Sequence, residues 1–283
     1  MEKTIKACDS TKRDLRIVLR FVGKAGTELC FDGLPINGVG RKHIKRLLNH
    51  IDETNTSSVH RYNKVRTNLM MLFNELVDLE AIEFNPVKEI KKKKGVSRLR
   101  QLLTPNKIEL INEHLRTKHY RFWIFMQIFF HSGSRLTEMM QVKRKHVDLE
   151  KQVFIVTVKK GQLLKEVQKP LKNIDLPFWR EAIAISLPEQ FILSKNLLPG
   201  EKSIGSYQIT KRWNKYVKKE LGITEDFYSL KHLNLDKTAA LLSLEDAAAL
   251  ASHTSSFITE KHYRVNERAR QFERLKSLQN HLL

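Results

Sequence analysis

Apolar residues recur at helical spacing through the first 90 positions, and residues 11 to about 90 read as all helix. Val18, Leu19 and Phe21-Val22 mark one apolar face. Tyr62, Val65, Leu69, Leu72-Phe73 and Leu76 mark a longer one. Thr56-Ser57-Ser58 ahead of that run supplies an N-cap. The helix is expected to stop near Glu83-Phe84-Asn85-Pro86, because the residue before a proline is pushed out of helical geometry.

The pattern then changes. Lys91-Lys92-Lys93-Lys94-Gly95-Val96-Ser97-Arg98-Leu99-Arg100 is a basic run without an apolar face, and Thr104-Pro105 opens a new helix with a cap and an N1 proline. Residues 105–116 and 120–131 have helical spacing. Val153-Phe154-Ile155-Val156-Thr157-Val158 is β-branched and aromatic, the composition of a strand, and Lys159-Lys160-Gly161-Gln162 turns it. Glu166 to Leu171 is placed to pair back. Helices return at about 206–221, 229–242, 244–252 and 259–278, and after Tyr263 the residues Phe272, Leu275, Leu278 and Leu282 form an apolar stripe on a terminal helix. The expected fold is mainly α with a small antiparallel β-sheet. The expected organisation is a helical domain over residues 1–90, a basic linker over 91–102 and a second domain over 103–283.

Charge narrows the partner. The 283 residues carry 51 Lys and Arg against 31 Asp and Glu, a net +20. Residues 1–100 hold 21 of the basic and 12 of the acidic groups, so both parts of the chain are basic rather than one tail. Such a surplus suits an anion wrapped by two surfaces, and nucleic acid is the default, since neutralising phosphates releases counterions. The linker lysines Lys91, Lys92, Lys93 and Lys94, with Arg98 and Arg100, are expected to lie along DNA phosphate. Cys8 and Cys30 are the only cysteines, too few for a disulfide framework or a Cys-rich zinc site. The N-terminus lacks the apolar core of a signal peptide, and the longest apolar stretch, Phe122 to Phe130, is about half a membrane span. A cytoplasmic protein with no membrane association is expected.

The candidate chemistry lies in the last 150 positions. Arg135 sits in Ser132-Gly133-Ser134-Arg135-Leu136-Thr137-Glu138-Met139, with Glu138 three positions on to support its guanidinium. Further along come Tyr228-Ser229-Leu230-Lys231-His232, then His253 between Ser252 and Thr254, then Tyr263. An arginine, a lysine–histidine pair, a later histidine and a near-terminal tyrosine suit attack by tyrosine on a phosphodiester. The transferring phosphate spreads negative charge over its non-bridging oxygens and needs multi-donor cations around it.

In these segments, and in this order, the chain resembles the tyrosine recombinases, the phage-type integrase and Xer-like family of site-specific recombinases. Ser132 to Met139 is similar to the family's small-Gly-x-Arg-[Leu/Ile]-x-Glu-[Leu/Met] signature, whose arginine clamps the scissile phosphate. Lys160-Gly161 with Pro170-Leu171 resembles the family hairpin whose lysine protonates the leaving 5′-oxygen, and Lys159 is the neighbouring choice. The family's His-x-Leu-Arg-His becomes Tyr228-Ser229-Leu230-Lys231-His232, which replaces the first histidine by Tyr228 and the second arginine by Lys231 and keeps His232. Lysine supplies charge without the bidentate fork. Leu250-Ala251-Ser252-His253 resembles the segment of the family's second histidine, and Tyr263, ten residues on, aligns with its nucleophile.

The resemblance implies a SAM-like helical core-binding domain followed by a tyrosine-recombinase catalytic domain. Asn85-Pro86-Val87, the basic linker and Leu103-Thr104-Pro105 are its echo at the junction. It further implies a 3′-phosphotyrosyl intermediate, with Arg135, Lys160, Lys231, His253 and Tyr263 catalytic and Tyr228, His232 and Glu138 in support. No metal and no cofactor is needed. The implied partners are double-stranded DNA and further copies of the chain in a tetramer on DNA, with accessory proteins as further candidates. The stretch ahead of residue 11 leaves no room for an arm-binding domain, so the chain is expected to be Xer-like in organisation or a truncated piece. Three other readings stay open at this point: a DNA-binding protein that has lost the chemistry, a type IB topoisomerase-like nicking-closing enzyme, and a helical RNA-binding protein.

Overall fold

The computed structural model describes residues 8–54, 58–95, 103–160 and 163–252, and Lys276 alone beyond them. The chain divides into two compact units, residues 1–98 and 99–283.

The first unit is built from α1 (Asp9–Glu28), α2 (Arg41–Thr54) and α3 (Val59–Asp78). In α2 the buried positions are Ile44, Leu47, Leu48 and Ile51, the i, i+3, i+4, i+7 stripe of an amphipathic helix. They meet Val18 and Ala25 of α1 and Tyr62, Val65, Leu69 and Phe73 of α3 in one core. Leu19 does not join them and is 42% exposed. Ser58 caps α3, its hydroxyl accepting the Arg61 N–H. The helix ends at Asp78, ahead of the stop expected at Pro86. The reason is a Schellman ending: Glu80 takes φ +56°, its N–H reaches the Val77 carbonyl, and the Ala81 N–H reaches that of Leu76. Asn85 then docks on α3, donating to the Met70 carbonyl at 2.9 Å and to Asn74, while its own oxygen accepts the Val87 N–H.

The basic run starts as part of this unit. The Asn63 amide donates to the Lys93 carbonyl at 2.9 Å, and its oxygen accepts the Lys93 N–H at 2.9 Å. The Lys93 ammonium lies 2.5 Å from Asp52 and 4.4 Å from the centre of the Tyr62 ring. Residues 91–95 are thus laid along α3, and Lys91, Lys92, Lys93 and Lys94 are exposed.

The second unit places α4 (Pro105–Lys118) before α5 (Tyr120–Ser132), with Thr104 and Pro105 at the N-cap and N1. Phe122, Ile124, Phe125, Met126, Ile128 and Phe129 are buried around most of the circumference of α5, which makes it the central helix. It packs against α4, α7 (Leu176–Ile183) and α9 (Ser229–Leu241). Gly133 ends α5 at φ +62°, and the one-turn α6 (Leu136–Met139) follows. β1 (Val147–Asp148), β2 (Val153–Lys160) and β3 (Leu163–Pro170) form an antiparallel sheet in that order. Lys159 and Lys160 pair with Leu164 and Leu163, so they belong to the end of β2 rather than to the turn.

α8 (Ser206–Trp213) runs without a break into a π-helical segment, Asn214–Lys219. Trp213 and Val217 are fully buried there, and the Trp213 indole donates to the Glu225 carbonyl at 2.8 Å. On the other side, Tyr216 stacks on His119 at 3.6 Å, and Glu220 receives His114 and His119 at 2.9 and 3.4 Å. α10 (Leu244–Leu250), capped by Ser243, completes the described chain. Of the helix expected over 259–278 only Lys276 is described, and the residues of its stripe lie outside the described residues.

Gly133 is the tightest point of this unit. A Cβ there would lie 2.6 Å from Leu250 Cγ and 3.0 Å from the Leu250 carbonyl oxygen, at a φ that side chains disfavour. Gly133→Ala is expected to lower the unfolding free energy by about 2–4 kcal/mol, read from the urea midpoint.

Candidate active site

Arg135 is the N-cap of α6. Its guanidinium donates to Glu138 at 2.5 Å, and its backbone N–H donates to the other oxygen of the same carboxylate at 2.7 Å. Glu138 is buried, whereas the Arg135 side chain is 41% exposed. One carboxylate thus fixes both the backbone and the side chain of Arg135 and leaves part of its donor fork facing outward. Glu138 is spaced for this by the helix itself, since an N3 side chain reaches back to its own N-cap.

Lys231 lies in the first turn of α9 and is 1% exposed. Its ammonium is 5.7 Å from the centre of the Tyr228 ring and has no hydrogen-bond partner among the described residues. Its pKa is lowered to about 7, chiefly by burial and then by Lys169, with Glu138 acting the other way and Arg135 adding to the lowering. Tyr228, at the N-cap, meets the His232 ring edge-on at 5.1 Å.

Sequence reasoning missed Lys169. It is 2% exposed on β3, and its ammonium donates to the carbonyl of Leu250. Burial lowers its pKa to about 8, with Glu138 opposing and Arg135 adding to the lowering. Only the strand register explains it: Lys169 pairs with Phe154, and partners across an antiparallel ladder share a face. Phe154, Val156 and Val158 alternate inward, so the ladder carries Lys169 in with them. Nearby, burial with Lys172 and Lys237 drives the pKa of His131 down to about 4, so this ring is neutral near pH 7 and adds no charge to the region.

Arg135, Glu138, Lys169 and Lys231 therefore form one electrostatic cluster of three cations around a single carboxylate. Within it Lys169 is engaged by the Leu250 carbonyl, whereas the outward part of the Arg135 fork and the Lys231 ammonium keep N–H donors of the kind that suits a tetrahedral oxyanion. Lys159 is exposed near the end of β2, and Lys160 follows it on the strand. Lys91 to Lys94 belong to the first unit. His253, Tyr263, Arg98 and Arg100 lie outside the described residues.

A helical unit followed by a mainly helical unit with a small antiparallel sheet and a buried cation cluster has the fold of a tyrosine recombinase. The sequence pattern of the phage integrase family matches residues 101–268. The chain is similar to the solved lambda integrase, residues 75–356, as a dimer bound to a COC′ core site. Identity is 16% over 93% of this chain and 92% of that one, with a TM-score of 0.73. It is also similar to the Tn1549 transposon integrase in complex with a circular intermediate DNA, at 16% identity over 95% of each chain and a TM-score of 0.68. XerA recombinase follows at 13% identity over 97% of this chain and 94% of that one, with a TM-score of 0.53. No curated protein sequence matches the chain. The chain belongs to the phage integrase family. It is a site-specific DNA recombinase, an enzyme that breaks and rejoins DNA strands. Among the described residues, no helix is long and apolar enough to cross a membrane.

Proposed function

We propose that Tyr263 is the nucleophile of strand cleavage, and that Arg135, Lys231 and His253 hold the scissile phosphate while Lys160 acts on the leaving group. The phenolic oxygen of Tyr263 attacks phosphorus and the bond from phosphorus to the 5′-oxygen breaks. Lys160 gives that oxygen a proton. The products are a 3′-phosphotyrosyl bond and a free 5′-hydroxyl. Attack by a 5′-hydroxyl from the partner duplex reverses the step and joins new strands. The phosphodiester energy is kept in the phosphotyrosine, so no nucleotide is consumed.

The observation that carries this reading is Lys231: a buried ammonium beside Arg135 and Lys169, without a hydrogen-bond partner among the described residues. Burying such a group is costly unless an anion completes it. A phosphodiester oxygen supplies that anion, and Arg135 presents donors to the same phosphate. Exchange between two duplexes calls for four protomers assembled on DNA. The exposed lysines of residues 91–94 and Lys159 contact phosphate, which makes affinity strongly salt-dependent. The protein acts in the cytoplasm, where accessory proteins would shape the complex.

A nicked suicide duplex carrying the cognate site tests the reading. Wild type is expected to give a covalent protein–DNA band on a denaturing gel, and Tyr263→Phe none. Tight salt-sensitive binding without any band from wild type would instead identify a DNA clamp that has lost its chemistry.

A further inference from the structure

Lys169 has no part in the phosphate chemistry just described, yet it is among the most deeply buried side chains of the protein. A methionine fills similar space without the cost of dehydrating a charge, so a buried lysine needs a reason. Its partner is informative. The Leu250 carbonyl belongs to the last residue of α10, at the negative end of that helix, where carbonyls have no partner within the described part of the helix. Gly133 closes on the same residue from another side, close enough that a Cβ would overlap Leu250. Gly133 lies two residues before Arg135. Leu250 also packs with Leu235 of α9, the helix that carries Lys231. One residue therefore receives β3, the Arg135 turn and α9 together.

We propose that Lys169 is a positioning residue of strand cleavage: its ammonium, held on the Leu250 carbonyl, fixes the end of α10 against the Arg135 turn and α9. The proposal rests on the reading of the reaction given above. Without Lys169 the two cations of the site are each present but free to drift relative to one another. A misplacement of about 1 Å costs on the order of 10²-fold in rate.

The test compares wild type, Lys169→Met and Lys169→Gln on the suicide duplex. It measures the single-turnover rate of adduct formation at saturating DNA, the DNA affinity with its salt dependence, and the thermal midpoint. Lys169→Met is expected to slow the adduct by about 10²-fold while affinity stays within about twofold. Lys169→Gln keeps an N–H donor for the carbonyl and is expected to recover part of the rate. Removing Lys169 also takes a positive charge from beside Lys231, so the alkaline loss of DNA affinity is expected to move to higher pH. That shift follows from the charge alone, so the positioning role is read from the rate at unchanged affinity and from its recovery in Lys169→Gln. Unchanged rates in both variants would overturn the proposal. So would a rate loss accounted for by the fraction unfolded. A weakened affinity with the salt slope reduced by about 0.9 would overturn it too, since that marks a direct phosphate contact. A wild-type protein that forms no adduct would overturn the reading of the reaction instead.

Discussion

Arg135→Lys is expected to slow covalent adduct formation by about 10³–10⁵-fold, the range over which a single transition-state arginine acts in phosphoryl transfer. The charge survives the change, so the loss measures geometry. Glu138 occupies one edge of the guanidinium at 2.5 Å and pins the N-cap backbone at 2.7 Å. The remaining donors keep a fixed direction, which the proposed reaction uses on the phosphate. An ammonium on a flexible stem can satisfy Glu138 or the phosphate, but not both with the same rigidity. Glu138→Gln should fall between the two, because it keeps one acceptor and loses the charge that orients the fork. Rapid-quench assays on the suicide duplex measure each, with gel-shift affinity as the control. An Arg135→Lys variant within tenfold of wild type would remove Arg135 from the chemistry.

The second large effect is a pair of opposite pH dependences. Lys231 is lowered to about 7 and Lys169 to about 8, both mainly by burial. Their values in the unfolded chain are the ordinary ones, near 10.5. Between these limits the unfolded chain holds more protons than the folded one, so the stability of the DNA-free protein rises with pH. The slope approaches about 1.4 kcal/mol per pH unit for each lysine while it titrates. The thermal midpoint should therefore climb from about pH 7 to about pH 9, and climb less in Lys231→Met. DNA binding runs the other way. If Lys231 holds the phosphate as proposed, binding restores its proton, so affinity is expected to fall as pH rises above neutrality, by up to about tenfold per unit for one linked proton. In Lys231→Arg this fall should shrink, because a guanidinium stays charged throughout. An affinity independent of pH in wild type would mean that Lys231 is not a phosphate ligand.

What the sequence disclosed follows from where the information lies. Arg135 was legible because a short segment carries its own turn, its glycine and its carboxylate. The β2–β3 hairpin was legible from a β-branched run, and α5 from its apolar density. Lys169 was not, because its buried partner is the Leu250 carbonyl, 81 positions away. Read locally, Lys165 to Lys169 looks like a solvated strand, and only the pairing with Phe154 turns Lys169 inward. α7 and the two-residue β1 escaped notice because neither is long enough to show a period. The end of α3 was displaced for a related reason. A Schellman turn closes with Glu80 at positive φ, a position usually announced by glycine.

The π-helical segment after α8 amounts to one residue more than an α-helix accommodates between Trp213 and Glu220. Such a turn takes up the extra residue locally, so the helix on either side keeps its register. Excising one position from 214–219 is therefore expected to restore an α-helix there, with Glu220 still facing His114 and His119 and the Glu225 carbonyl still facing the Trp213 indole. A residue removed from the regular turns of α8 would instead rotate everything beyond it by about 100° and break both contacts. In a lineage comparison, one-residue length changes in this helix should therefore collect at 214–219, with the histidine pair kept on both sides of the change.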